Sequence, residues 1–427
     1  MNPITTLPSG ASAIFWGVIT FSLLVVLHEG GHYLAARFFG VKVHEFMLGL
    51  PGPAVRWRSR RTGISYGVTA VPLGGYVRIA GMEPGPEDEL LPRALGLLCD
   101  RERLDAATLA TELTVPHERA AAMLATLEDY GAAESLPEHA GPKPLVARAP
   151  SESDEALLTR VRARVYRGQP AWKRDTILAM GVFINIVSAI VILTLALAII
   201  GLPKPIPTVD SVTPGSGAAA AGLKTGDTII TLDGRTIADW DRLKASLKSA
   251  TPGVPVRVGV RRGDSVLTLS VTPQAGPSGE ALLGVQARTI DVPMALGPAA
   301  GLALTTTGAV FVAIVQFFNP STFATSIQGA RSVVGISYEV ARAANEGVIE
   351  YAWLVALLSL SLGFMNILPI PPLDGGKIAI EFIELAIRRP VPRRLSLAAS
   401  AAGALLLFSL IFYLMYADVL RYIVNQG

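Results

Sequence analysis

Two histidines and a glutamate in H-E-x-x-H spacing, His28-Glu29-Gly30-Gly31-His32, carry the densest chemistry in this sequence. On a helix, residues four apart share a face, so His28 and His32 can turn both rings toward one ion. Glu29 is offset enough to stay out of the ligand set, yet close enough to take a proton from a water at the ion. The motif sits in hydrocarbon. Residues 11–27 include no charged side chain, apolar character resumes at Tyr33-Leu34-Ala35-Ala36, and a helix of that length can cross a bilayer. In a soluble helix this spacing often marks only a solvated face. At bilayer depth a carboxylate costs roughly 2.5–3.5 kcal/mol on insertion scales, and packing alone asks for no imidazole pair beside it. A buried metal site is expected.

A catalytic zinc takes three protein ligands and keeps one position open. The remaining histidines, His44, His117 and His139, lie beyond helical reach or in a soluble stretch, so an acid from another helix is needed. Asp374, in Leu373-Asp374-Gly375-Gly376 after the Pro-rich break at 369–372, is the acid beside a spanning run at matching depth. On residue type alone it reads equally well as a turn or capping aspartate. Glu381 and Glu384 follow, but in a basic loop where solvated faces are the default, which argues against a glutamate as third ligand.

The elements that must position these groups belong to a membrane protein. The 427 residues are 51% hydrophobic and only 17% charged, with a mean hydropathy of +0.45. A net charge of +3 is too small to argue for nucleic acid. The lone Cys99 excludes an intrachain disulfide framework and a cysteine-rich zinc module. The first apolar run has no basic region before it and no small-residue cleavage site, so a retained helix is expected, not a removed signal. The pattern predicts a polytopic α-helical membrane protein of about four transmembrane helices. To these it adds a membrane-associated β-hairpin region, a small helical, winged-helix-like insert and, about Ala221-Gly222-Leu223-Lys224-Thr225-Gly226-Asp227-Thr228-Ile229, one α+β unit that looks like a PDZ domain.

In chain order, residues 1–45 hold the first transmembrane helix. Residues 46–82 alternate about glycine pairs, ending in Gly74-Gly75-Tyr76-Val77-Arg78, and predict short hairpins whose edge could pair with an extended substrate or simply connect. Residues 83–160 form the insert and a Pro-, Ala- and acid-rich linker over 137–160, with a helix-turn-helix pattern about Pro116. Over residues 83–150 there are 13 Asp/Glu against 6 Lys/Arg, a net charge of −7, so a protein regulator is the expected partner and nucleic acid is not. Residues 161–203 hold the second transmembrane helix with Gly181 and Asn185, the latter able to bond a neighbouring helix or to serve the site. Residues 204–290 are soluble, with Ala221-Gly222-Leu223-Lys224-Thr225-Gly226-Asp227-Thr228-Ile229 at their centre. Residues 291–350 are interfacial or amphipathic, with 294–318 undecided between spanning and interfacial. Residues 351–427 hold the third and fourth transmembrane helices. Arginines gather after the first and third spans, which puts those loops in the cytoplasm and the soluble 204–290 domain outside. His28, His32 and Asp374 then meet near the cytoplasmic boundary. A spanning 294–318 segment would move Asp374 to the other side, which argues against its crossing.

Together these stretches resemble the site-2 protease family of intramembrane zinc metalloproteases, in its bacterial branch typified by the regulator of sigma-E protease. The resemblance rests on His28 through His32, on Gly74 through Arg78, on the A-G-L-x-x-G-D-x-I pattern of a bacterial protease-associated PDZ domain, and on Asn366 through Gly376. That last stretch is similar to the family's N-x-x-P-x-x-x-x-D-G motif. It implies that His28, His32 and Asp374 bind Zn2+ and that Glu29 is the general base and acid. It also implies that Asn366 holds substrate backbone or the oxyanion, and that Gly74, Gly75 and Tyr76 line the substrate strand. The family's G-P-x-x-N is Gly181-Val182-Phe183-Ile184-Asn185 here; without the proline, Asn185 is a less secure member of the site. The implied substrates are single-span membrane proteins such as anti-sigma factors or signal-peptide remnants, with a peptide or chain end at the PDZ domain, in a bacterial inner membrane. A sensor without catalysis, coupling the outer domain to the cytoplasmic insert, is the alternative of another class.

Overall fold

The computed structural model describes residues 9–71, 74–82, 87–101, 103–134, 141–277 and 279–420. Pro72-Leu73 of the hairpin run, Glu83–Pro86 at the start of the insert, and residues 135–140 with His139 lie outside them. Helix α1, Gly10–Phe38, begins where the Ser9 hydroxyl accepts from the Ser12 N–H at 3.2 Å, and runs 29 residues through the H-E-x-x-H motif. Strands β1 (Val43–Leu48), β2 (Ala54–Arg58), β3 (Ser65–Thr69) and β4 (Gly75–Ile79) follow. They form one four-stranded sheet in the order β2-β3-β1-β4 rather than separate hairpins. Its centre is a parallel pairing of β1 with β3, which the hairpin expectation did not contain. Strand β4 is left as an edge.

The insert comprises α2 (Leu91–Cys99), α3 (Ala106–Leu113), α4 (His117–Asp129), β5 (Ala133–Glu134), β6 (Lys143–Pro144) and α5 (Asp154–Arg162). The α3–α4 turn has Thr114 in the left-handed region (φ 55°), and Pro116 caps α4 rather than opening it. The expected linker over 137–160 is instead folded across its described part. β6 pairs with β5, and α5 buries Leu157, Leu158 and Val161 in the same core as Leu91, Leu95, Leu109 and Leu127. Spacing at i, i+1 and i+4 behind a Ser153 cap gave α5 a buried stripe that its charged neighbours masked. The insert leaves and rejoins the rest of the chain at one place. The Tyr166 N–H donates to the Ala80 carbonyl (2.8 Å), and the Lys42 N–H to the Arg164 carbonyl (2.9 Å).

After a single 3-10 turn at Tyr166–Gly168 comes α6, Ala171–Ile199. An α+β unit follows, built from β7 (Leu202–Val212), α7 (Gly217–Ala220), β8 (Thr228–Leu232), β9 (Arg235–Thr236), α8 (Trp240–Lys248), β10 (Val256–Arg262), β11 (Ser265–Val271), β12 (Gln274–Ala275), β13 (Ala281–Leu282) and β14 (Val285–Val292). Its main sheet runs β11-β10-β8-β7-β14, with β9 on β8. Period-two valines in β10 join Val209, Ile229 and Leu243 in a core of their own.

The remaining helices are α9 (Leu296–Phe317), α10 (Phe323–Gly329), α11 (Val333–Glu346), α12 (Val348–Ile367), α13 (Asp374–Ile387) and α14 (Arg393–Val419). Among the described residues, five helices (α1, α6, α9, α12 and α14) are long and apolar enough to cross a membrane. The undecided 294–318 stretch is thus a 22-residue apolar helix. It does not displace Asp374. Phe311 packs on Phe364 with ring centroids 5.3 Å apart, and Ala303 shares a cluster with Ala356 and Leu360 two turns earlier. α9 and α12 therefore run side by side in the same sense, so the chain between them must return, and the parity argument against α9 loses its force.

Candidate metal centre

Each ligand stands where its own element puts it. His28 and His32 are one turn apart on the buried face of α1, and Asp374 is the first residue of α13, presented by the turn after α12. The three converge. Asp374 Oδ2 lies 3.0 Å from His28 Nε2 and 3.1 Å from His32 Nε2, and the two Nε2 atoms are 3.3 Å apart. All three side chains are buried. Ligand atoms about 2.0–2.1 Å from a tetrahedral ion are separated by about 3.4 Å, so the triangle has nearly the dimensions such an ion needs.

The surrounding atoms fit the same reading. The His32 Nδ1–H donates to the Ile177 carbonyl at 2.8 Å, which leaves Nε2 as the free lone pair. The Asn185 amide lies 3.3 Å from His28 Nδ1, while Asn185 Oδ1 is buried without a hydrogen-bond partner. When His28 presents Nε2 to an ion its proton rests on Nδ1 and needs an acceptor. Turning the amide by half a rotation supplies one and satisfies the orphaned oxygen, the two orientations being indistinguishable in outline. Lys377 Nζ lies 3.3 Å from Asp374 Oδ1 and leaves Oδ2 to the ion.

Close helix approach makes the cradle. A Cβ on Gly181 would lie 2.5 Å from His32 Nε2 and 2.9 Å from His28 Cε1, and one on Gly31 would run into the Met180 carbonyl. α1 and α6 cross at these two glycines. Glu29, next to His28 on α1, reaches the sheet, where the Val77 N–H donates to its Oε2 at 3.1 Å.

Other expected members stand apart. The Asn366 amide donates to the Leu362 carbonyl within its own helix (2.9 Å). The Tyr76 hydroxyl donates to Glu45 Oε2 (3.1 Å), across to β1. The Gly74 carbonyl accepts from the Gly49 N–H (2.8 Å) at the turn into β4, and Gly75 opens that strand. Three contributors were not foreseen in these roles: the Ile177 carbonyl, Lys377 and the close approach at Gly181. Lys377, one helical turn after Asp374, and Gly181, in the G-x-x-x-N stretch, left a signal in the sequence, whereas the Ile177 carbonyl left none.

The family model for peptidase family M50 matches residues 16–410. The chain is similar to metalloprotease MmpA of Caulobacter vibrioides, 27% identical over 435 residues that cover 95% of this chain and 94% of that one. It is also similar to the regulator of sigma-W protease RasP of Bacillus subtilis, 27% identical over 95% of this chain and 97% of the relative. A solved PDZ domain of an SdrC-like protein from Listeria monocytogenes is 21% identical over 20% of this chain and 87% of its own, with a TM-score of 0.18. With a match over most of its length, and with His28, His32 and Asp374 grouped as a possible metal site, the chain belongs to peptidase family M50, the site-2 protease family, and is a zinc metalloprotease of the membrane.

Proposed function

We propose that the chain hydrolyses peptide bonds of single-span membrane proteins at a centre whose ligands are His28, His32 and Asp374, with Glu29 as general base and acid. The observation that carries this reading is the convergence of three buried ligand atoms from α1 and α13 beside one acidic side chain that does not ligate. Zinc held by His28, His32 and Asp374 would supply a water of lowered pKa, near 7, and would polarise the scissile carbonyl. Glu29 would accept that proton and return it to the departing amine, and a single carboxylate can do both in turn. The Ile177 carbonyl and Asn185 keep the imidazoles in one tautomer throughout.

A helical substrate hides its carbonyls in its own hydrogen bonds and must unwind before attack. Strand β4 supports a role in that step. It is a sheet edge, the Val77 N–H points off it toward Glu29, and Gly75 shares that edge by the period of two. An unwound segment pairing there would lie against the general base. Asn366, at the end of α12, is proposed to hold substrate backbone or the oxyanion. The insert reads as a winged-helix-like module, supported by three helices followed by the β5–β6 hairpin, and as the seat of a protein regulator. The 204–290 unit reads as a PDZ domain capturing a peptide or chain end, supported by its sequence pattern and sheet order. The arginine-rich loops support about four net crossings of a bacterial inner membrane, α9 and its return making none, with the insert cytoplasmic and the PDZ unit outside.

The test is Glu29→Gln in purified protein with a single-span reporter. Zinc content should stay unchanged while cleavage falls by about 10²–10⁴-fold. Undiminished cleavage would remove Glu29 from the mechanism.

A further inference from the structure

Asp374 divides its two carboxylate oxygens. Oδ2 lies 3.0 Å and 3.1 Å from the two imidazole Nε2 atoms, while Oδ1 lies 3.3 Å from Lys377 Nζ. Nothing covalent enforces that division. The backbone of Asp374 is held, because Gly375 and Gly376 let the first turn of α13 press onto the incoming segment. A Cβ on Gly376 would lie 2.7 Å from the Pro371 Cα, and one on Gly375 2.6 Å from the Leu368 carbonyl oxygen. The carboxylate itself turns about a broad, two-fold torsion, so the contacts of its oxygens decide which one faces the imidazoles. Among the described residues, Lys377 Nζ is the hydrogen-bond partner of Oδ1.

Lys377 is directed to that contact. On α13 it has Asp374 three residues before it and Glu381 four after, and either spacing allows a pair. Glu381 is already engaged. It accepts from the Tyr166 hydroxyl and pairs with Arg174 at 3.3 Å. Glu384, one turn further along the same face, accepts the Val391 N–H at 2.9 Å. The Lys377 side chain lines a cavity of about 240 Å³ together with Pro371 and Pro372. It is 47% exposed and reaches a carboxylate that is 7% exposed. A half-exposed pair adds little stability, yet a small preference suffices to choose between two orientations of a carboxylate.

We propose that Lys377 is a positioning residue of the metal centre. By holding Oδ1 it makes Asp374 a ligand through Oδ2 alone, and so keeps open the position that a catalytic zinc reserves for water. A carboxylate free to present both oxygens would crowd that position. The inference rests on Asp374 being the third ligand.

The experiment loads metal-free, full-length protein in detergent with Co2+, whose visible bands report coordination geometry. The open position is then titrated with imidazole, a neutral ligand, so that loss of the lysine charge does not itself change the affinity. Lys377→Met should keep the metal content of the parent but weaken and shift the cobalt bands. It should also lower imidazole affinity about three- to tenfold, the worth of a partly buried charged pair. Lys377→Arg, which can still hold Oδ1, should return both readouts toward the parent. A plain surface ion pair predicts at most a lower melting temperature. Parent cobalt bands and parent imidazole affinity in Lys377→Met therefore overturn the inference. Asp374→Asn separates this result from failure of the ligand assignment. Undiminished cobalt affinity in that variant removes Asp374 from the ligand set and the inference with it. Lost affinity there, beside a parent-like Lys377→Met, overturns the inference alone. Lys377→Ala carries the same comparison if the methionine variant folds poorly.

Discussion

Gly181 decides how closely α6 can approach the two imidazoles, because any side chain there would press on both rings. Gly181→Ala should displace the imidazoles and weaken zinc retention about 10–100-fold, the usual effect of disturbing the groups that orient metal ligands, measured by competition with a chromogenic chelator. Gly30→Ala, with nothing within 4 Å of the new methyl, should retain zinc like the parent. Asn185→Ala should also lower zinc affinity, by removing the acceptor for His28 Nδ1–H. At this scale the candidate cluster was legible. H-E-x-x-H and the Asp-Gly-Gly turn are specific in residue type, and the structure brings all three side chains together. The Ile177 carbonyl was not legible, since a backbone acceptor has no identity in the sequence and only the crossing of α1 with α6 selects it.

Among the elements, α13 links the centre to the insert. Asp374 opens it and Glu381 follows two turns later, accepting from the Tyr166 hydroxyl and pairing with Arg174 at 3.3 Å. Burial raises the Glu381 carboxyl from 4.5 to about 7; the charge of Asp175 adds to this, while the Tyr166 hydroxyl and Arg174 oppose it. The folded chain then holds a proton that the unfolded chain has released. Stability from this group is complete below pH 4.5 and is lost as pH rises through about 7. Thermal melting in detergent between pH 5 and 8 should show that decline, and Glu381→Gln should flatten it. The reading of Glu381 as a solvated loop acid missed this partner, because Tyr166 is 215 residues away. Long apolar helices were legible from composition and length alone. The sheet order was not, since a parallel β1–β3 pairing leaves no local turn signal, and α5 was hidden by the acidic and proline residues before it.

Over the whole molecule, two units are each stabilised by their own core. In the 204–290 unit the Asp227 side chain is 1% exposed and held by two Arg262 hydrogen bonds of 2.7 Å. Arg262→Ala should destabilise that unit by about 2–3 kcal/mol, since a buried carboxylate loses its charged partner while Arg262 itself is partly solvated. Hydrogen exchange of the β8 and β10 amides would register it. In the other unit, replacing residues 83–164 by a short Gly/Ser linker should leave zinc content unchanged, because Ala80 and Tyr166 already stand within hydrogen-bond distance. An altered cleavage rate in that variant would locate control in the insert. The same clasp has a wider consequence. A cassette whose two ends are neighbours can be grafted out and another grafted in without rethreading the bilayer part. A ligand-binding domain with adjacent termini, spliced at Gly81 and Val165, would make a membrane protease that answers to a molecule of the engineer's choosing.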